Sequence, residues 1–302
     1  YNITMDNASF YSLRAAGELG VATTPNPSGN SSDPNIFTNF TTTAGNPELV
    51  PTLSNNFDLS AEWYPTPGTT LHVAAFYKRL TNLPIYSVTD QPVTVYYQDG
   101  TSEDVLATST AVRNATEAAT VKGVEIGGRV FFDQLPGWLS GIGFEANYTY
   151  LDSKNPGDLY RDISGNIRSD APLQGLSEHN FNATFLYEHD PISFRVAYSW
   201  RSKYLQSTTS NGATPTYTYY DSPGSAGVAT QISLPVYGDA YGTLDAGATF
   251  RVTDAFSFTI QGTNLTNATQ RTLMGGYPNG ALYTRSWFKS DRRIKVGVNV
   301  AF

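Results

Sequence analysis

The side chains capable of acid–base or metal chemistry are few and scattered in this sequence. Its histidines, His72, His179 and His189, stand far apart; none belongs to an HExxH pair, and no GxSxG nucleophile elbow occurs. Cysteine is absent, which removes thiolate catalysis, disulfides and cysteine-ligated metal. The stretch from Asp152 to Asp158 contains Asn155 and Gly157 but lacks EF-hand spacing, and reads as a solvated loop. His189-Asp190 before Pro191 reads as a turn. No catalytic residue, metal site or cofactor is expected, and the chain is not expected to be an enzyme.

Recognition chemistry is better represented. There are 20 tyrosines and 16 phenylalanines, and several aromatics fall in polar segments: Tyr96, Tyr97, Tyr217, Tyr219, Tyr220, Tyr237, Tyr277, Tyr283 and Trp287. Their faces can stack on a sugar ring or an aryl chelator, and the tyrosine hydroxyls can hydrogen-bond either. They are the candidate substrate-contacting residues; the plainer reading is that loop tyrosines of this kind need no ligand. A second polar set, Glu62, Lys78, Glu125, Arg129, Glu145, Arg195 and Lys295, is read mainly as structural, with a few members lining a solute path.

The elements that must position these groups are strands, because apolar residues recur with period two. Ile294, Val296, Val298, Val300 and Phe302 share one face, opposite Lys295, Gly297, Asn299 and Ala301. The same alternation runs through Phe57 to Trp63, Leu71 to Tyr77, Val124 to Phe132, Ile142 to Tyr150, Phe181 to Tyr187, Ile192 to Trp200, Leu244 to Phe250 and Phe256 to Gln261. That gives nine strands. The seven polar-set charges fall on the faces opposite the apolar ones. Sequons such as Asn147 and Asn182 lie inside these strands and therefore reflect composition rather than glycosylation.

Connections alternate in length. Short turns fall at Pro65 to Gly68, Asp133 to Gly141, Asp190-Pro191 and Thr253-Asp254, where Pro, Gly and Asp supply turn chemistry. Long Gly-, Ser-, Thr- and Asn-rich segments fall at 81–118, 154–174, 205–237 and 266–284. Short turns on one side and long loops on the other are the pattern of an outer-membrane barrel, turns periplasmic and loops outside. Aromatics sort accordingly: Trp63, Phe132, Tyr187, Phe250, Phe256 and Phe302 beside the turns, and Tyr148, Tyr150, Tyr198, Trp200 and Tyr204 towards the loops. A soluble antiparallel sandwich also alternates, but it does not call for long loops on one side only.

Bulk properties agree. No stretch approaches the roughly 18 apolar residues of a spanning helix, so any crossing must use strands. A net charge of −7 and no basic patch exclude a nucleic-acid partner. The N-terminal YNITMDNASF is not a secretory signal.

Particular segments then resemble one family. Gly45-Asn46-Pro47-Glu48-Leu49 with Pro51, Ser54-Asn55-Asn56-Phe57-Asp58-Leu59 and Glu62-Trp63-Tyr64 are similar to a segment of TonB-dependent receptors. Val121 to Ile126, Leu135-Pro136-Gly137, Asn147 to Tyr150 and Asn264-Leu265-Thr266-Asn267 agree in order, so the resemblance covers residues 45–302. It implies an all-β, antiparallel transmembrane barrel of twenty-two strands with a plug in its lumen. This chain would supply an incomplete barrel of about nine strands, the last nine. An odd count and unpaired edges in lipid argue the same way, since each orphaned backbone group there costs several kcal/mol.

The expected organisation is residues 1–53 as an extracellular loop leading into the first strand and 54–302 as the C-terminal barrel strands and loops. The plug and earlier strands would lie upstream. The resemblance further implies active uptake of a bulky solute, a carbohydrate or a siderophore–iron complex, with carbohydrate slightly favoured by the loop tyrosines. It implies an outer-membrane location with a periplasmic C-terminus, contact with membrane lipid, and coupling to the TonB complex through the N-terminal region. Val296, Val298, Val300 and Phe302 look like the signal read by the barrel-assembly machinery. The rival readings are a passive porin-like channel and a surface-binding or adhesin barrel.

Overall fold

The computed structural model describes residues 2–14, 17–24, 36–96, 100–156, 160–162, 167–169, 171–208, 216–219, 228–231, 234–277 and 279–301. The chain divides into two compact units. One comprises Asn56–Lys78 and Ala119–Phe302, the other Asn2–Asn55 and Arg79–Ala118.

Ten strands form the main sheet: β1 (Asn2–Asp6), β2 (Thr52–Trp63), β3 (Thr70–Thr81), β4 (Ala119–Phe131), β5 (Ile142–Lys154), β6 (His179–His189), β7 (Ile192–Arg201), β8 (Tyr241–Thr253), β9 (Phe256–Thr263) and β10 (Arg293–Val300). They are ordered in the sheet as they are in the chain. The pairs from β4 to β10 are all antiparallel. All nine strands read from the alternation are present, most of them longer than the apolar pattern. β5, for example, continues through Leu151 to Lys154, paired with Thr120 to Gly123. A backbone ladder does not end where apolar side chains do. The tenth strand, β1, is too short for its period to show; it stands beside β2, whose residues Thr52–Asn55 belong to the same unit.

Register aligns the two faces in rows. Phe144, Phe185 and Val196 stand opposite one another, as do Phe250, Phe258 and Val298. Val296 is 75% exposed and Leu59 77%. A continuous sheet of exposed Val, Ile, Leu, Phe and Tyr is far larger than a soluble monomer presents. The opposite face carries Arg129 across from Glu145, Leu186 across from Arg195, and Gln261 across from Lys295. Bulk on this second face is fitted by glycine: a Cβ at Gly143 would stand 2.7 Å from the Phe131 ring.

At the short-turn end, Gly68 takes φ +78° and Gly137 φ +61°, conformations that glycine tolerates best. Asp190-Pro191 is a cis peptide. Arg251 links neighbouring turns, its Nη2 lying 3.0 Å from Asp190 Oδ1 and its backbone N–H donating to the Pro191 carbonyl.

The long connections are less irregular than their composition suggests. Residues 81–118 contain an antiparallel hairpin, Pro84–Tyr96 with Ser102–Asn114, running in register from Pro84↔Asn114 to Tyr96↔Ser102. Ile36–Ala44 adds to it in parallel and Gly17–Thr24 pairs with that strand, giving a four-stranded sheet in the second unit. Asn114 closes its base, exchanging hydrogen bonds with the Val50 backbone and donating to the Asn82 carbonyl. These strands lack the apolar alternation because neither face must meet lipid; hydroxyl and β-branched residues satisfy the backbone equally well.

In the first unit, Tyr204–Ser207, Val236–Gly238, Thr269–Met274 and Tyr283–Lys289 make another four-stranded antiparallel sheet. It holds most of the fully buried bulk among the described residues: Leu205, Val236 and Pro235. The main sheet wears its apolar residues outside, and this small loop sheet has the conventional core.

Candidate functional site

The polypeptide places several of the candidate aromatics on the loop sheet at the long-loop end of the first unit. Tyr237 stands opposite Leu273 and Tyr283 opposite Met274. Gly275 leaves room for the Tyr237 ring, whose Cε2 would lie 3.0 Å from a Cβ there. Tyr277 meets Tyr283 edge-on with ring centroids 4.7 Å apart, a favoured aromatic geometry. Trp287, opposite Arg271, is 72% exposed. Four dispersed sequence positions thus become one outward-facing aromatic patch.

Beside it lies a hollow of about 250 Å³, lined by Asp152, Pro172, Glu178, Lys203, Tyr204 and Tyr237 among others. The Lys203 ammonium is 5.4 Å from the Tyr237 ring centroid. The guanidinium of Arg201 lies 3.8 Å over the Tyr204 ring, Nε donating to Ser177 Oγ and Nη2 to the Gly175 carbonyl. Arg271 pairs with Asp239 at 2.6 Å. Aromatic faces, two carboxylates and an ammonium around a small hollow suit a ring-bearing, polyhydroxylated or anionic solute.

The other candidates do not join this patch. Tyr96 is exposed at the end of the hairpin in the second unit. Tyr217 and Tyr219 sit on Thr216–Tyr219, paired with Val228–Gln231. Tyr97, Tyr220 and Phe302 lie outside the described residues. Tyr204, expected beside the lipid-facing aromatics, instead packs in the loop sheet over Gly238 and beneath Arg201. Its strand leaves the wall at Ser202, which carries the ring away from the row of Tyr198 and Trp200.

Arg201 and Lys203 escaped the sequence reading. The available signal was the basic, aromatic Trp200-Arg201-Ser202-Lys203-Tyr204 run at a strand end.

The polar face of the wall has a larger hollow of about 430 Å³ around Glu188, Ser193, Arg195, Asp245, Thr249 and Gln261. Gly247, opposite Arg195, leaves it open. Asp245 accepts the backbone N–H of Asn264 at 2.8 Å, and the Arg129 guanidinium sits 4.6 Å over the Phe131 ring. At the short-turn end, the Tyr64 hydroxyl donates to Glu62; that bond and the nearby negative charge raise the phenol above its ordinary pKa.

A family model described as TonB dependent receptor-like, beta-barrel matches residues 9–265. No curated protein sequence matches the chain. Among solved structures, a variant of the ferric enterobactin receptor PfeA of Pseudomonas aeruginosa, in complex with enterobactin, aligns with TM-score 0.57 and 15% identity, over 99% of this chain and 37% of that one. The siderophore receptor PirA of Acinetobacter baumannii aligns with TM-score 0.53 and 14% identity, over 87% and 34%. The copper transporter OprC aligns with TM-score 0.51 and 13% identity, over 99% and 36%. This chain spans about a third of the length of the structures it resembles, and identities this low speak for a shared fold.

Proposed function

Since the chain belongs to the TonB-dependent receptor-like β-barrel family, we propose that it supplies wall strands and outer loops of a receptor that actively takes up a bulky solute across the outer membrane. The exposed apolar face is then the membrane face and the charged face lines the lumen. The observation that carries the reading is the convergence of Tyr237, Tyr277, Tyr283 and Trp287 on one loop sheet beside the Lys203 hollow.

In this reading residues 1–53 lead in from the outside, 54–302 form wall and loops, and the C-terminus is periplasmic. The short turns and their exposed aromatics, Trp63 and Phe132, support that direction. Val296, Val298 and Val300, with Phe302, serve as the strand signal for the barrel-assembly machinery, and TonB drives transport from the inner membrane. The cargo is a siderophore–iron complex or a carbohydrate. The resemblance to receptors named for siderophores supports the first; the tyrosine-rich patch accommodates either.

The test is uptake by cells producing the full-length protein, with ferric enterobactin and a maltooligosaccharide as labelled probes, in the presence and absence of TonB. Saturable accumulation of one probe that stops when TonB is deleted is expected. Accumulation of that probe unchanged by TonB deletion would replace active import with passive passage or surface binding.

A further inference from the structure

On the membrane face of β7 to β10 the wall is not flat. A hollow of about 180 Å³, almost wholly apolar, is lined by Phe194, Ala246, Ala248, Ile260, Leu265 and Ile294. Register explains it. One row reads Val196, Ala246, Gly262, Ile294 and the next Phe194, Ala248, Ile260, Val296, so small side chains on β8 lie between large ones on either side. Gly262 is required to be small: a Cβ there would stand 2.7 Å from Leu265 Cδ2, so the glycine lets Leu265 fold down over β9. Other rows of this face, such as Phe250, Phe258 and Val298, carry bulk throughout.

The hollow sits at the long-loop end of β9 and β10, where the row from Thr263 to Arg293 closes the pairing. Immediately beyond it the chain carries Lys289, Arg292 and Arg293, all exposed. None of the three has an ion pair among the described residues, and one carboxylate, Asp291, lies between them in sequence. Unpaired guanidinium groups beside a bilayer interface bind phosphate well, because their donors match its oxygens two at a time. An apolar hollow facing lipid is filled by hydrocarbon, since leaving it empty forfeits dispersion contacts and water finds no polar partner in it.

We propose that this groove seats an acyl chain of a phosphate-bearing lipid on the long-loop side of the bilayer, with the phosphate held at Lys289, Arg292 and Arg293. The occupant is a lipid rather than a peptide or a second copy: the groove opens onto the membrane face, and its only charged border is cationic and at interface level. The inference rests on the membrane wall, not on what the protein transports.

The experiment uses the full-length protein in phosphatidylcholine nanodiscs doped with either diphosphoryl lipid A or its dephosphorylated form, with retained lipid measured by native mass spectrometry. Wild type is expected to retain the diphosphoryl form severalfold over both the dephosphorylated form and phosphatidylcholine. Ala246→Leu and Ala248→Leu, which fill the groove, and the pair Arg292→Ala and Arg293→Ala, which removes the phosphate contacts, are each expected to abolish that preference. Heat-modifiable migration on gels identifies folded barrels, and if one leucine variant does not fold the other carries that arm. Equal retention of phosphorylated and neutral lipids by wild type overturns the proposal. Unchanged preference in folded leucine variants overturns the groove as the seat, and unchanged preference in the arginine variant overturns the phosphate contact.

Discussion

The guanidinium of Arg201 lies flat over the ring of Tyr204, 3.8 Å from its centroid, while donating to Ser177 Oγ and the Gly175 carbonyl. One side chain at the end of a wall strand thereby joins the loop before β6, the end of β7 and the first strand of the loop sheet. Its position explains why the segment around Tyr204 leaves the wall.

Arg201→Ala should loosen this junction. Losing charge-assisted hydrogen bonds and a cation–π contact costs about 1–3 kcal/mol of local stability. Hydrogen exchange in residues 171–178 and 204–207 should rise, with protection in β4 and β5 unchanged. Arg201→Lys should recover only part, because an ammonium cannot keep both the stacking and the forked donors. Unchanged exchange in both variants would show the contact to be incidental.

The two faces of the wall should answer differently to the same charge. Ile260→Arg places a cation on the membrane face, where the cost is about 2–4 kcal/mol near mid-bilayer; Gln261→Arg, one residue on, faces the lumen. Urea unfolding of the full-length protein in vesicles should show a large loss for the first and little change for the second. The reverse order would invert the assignment of the faces.

Gly123 is a packing requirement. A Cβ there would stand 2.2 Å from the Tyr150 carbonyl oxygen and 2.6 Å from the Phe76 ring. Gly123→Val should therefore destabilise the β4–β5 pairing by roughly 1–3 kcal/mol or more, seen as a lower yield of heat-modifiable folded protein. Gly100→Ala, in open space but at φ +84°, should cost less. Equal yields of the Gly123→Val and wild-type proteins would contradict this packing.

If the loop sheet contacts cargo, Tyr237→Ala and Tyr283→Ala should each weaken binding of the transported probe about threefold to tenfold, as expected for about 0.5–1.5 kcal/mol of ring stacking. Tyr237→Phe and Tyr283→Phe should retain most of the affinity. Tyr96→Ala, in the other unit, should have a smaller effect. Equilibrium binding to the full-length protein in detergent reads all five, and an unaltered affinity in both alanine variants would remove the patch from the site.

The amino-acid order alone determined the wall. Period-two alternation has a direct physical cause, a strand with lipid on one face and polar surroundings on the other, so nine strands, their faces and their short turns could be read without coordinates. The Gly45-to-Tyr64 and Asn264-to-Asn267 segments also indicated the family that the comparison bears out. Where neither face meets lipid that constraint disappears, and the hairpin Pro84–Tyr96 with Ser102–Asn114 and the strands of the loop sheet left no periodic trace. Tertiary structure also decided which tyrosines meet. Tyr237 and Tyr283 are far apart in sequence and are joined only through the ladder that Thr269–Met274 makes with both of their strands. The groove at Ala246 and Gly262 has the same origin: small residues on adjacent strands make a hollow only when register sets them side by side, and register is a relation between strands that no single strand's sequence contains.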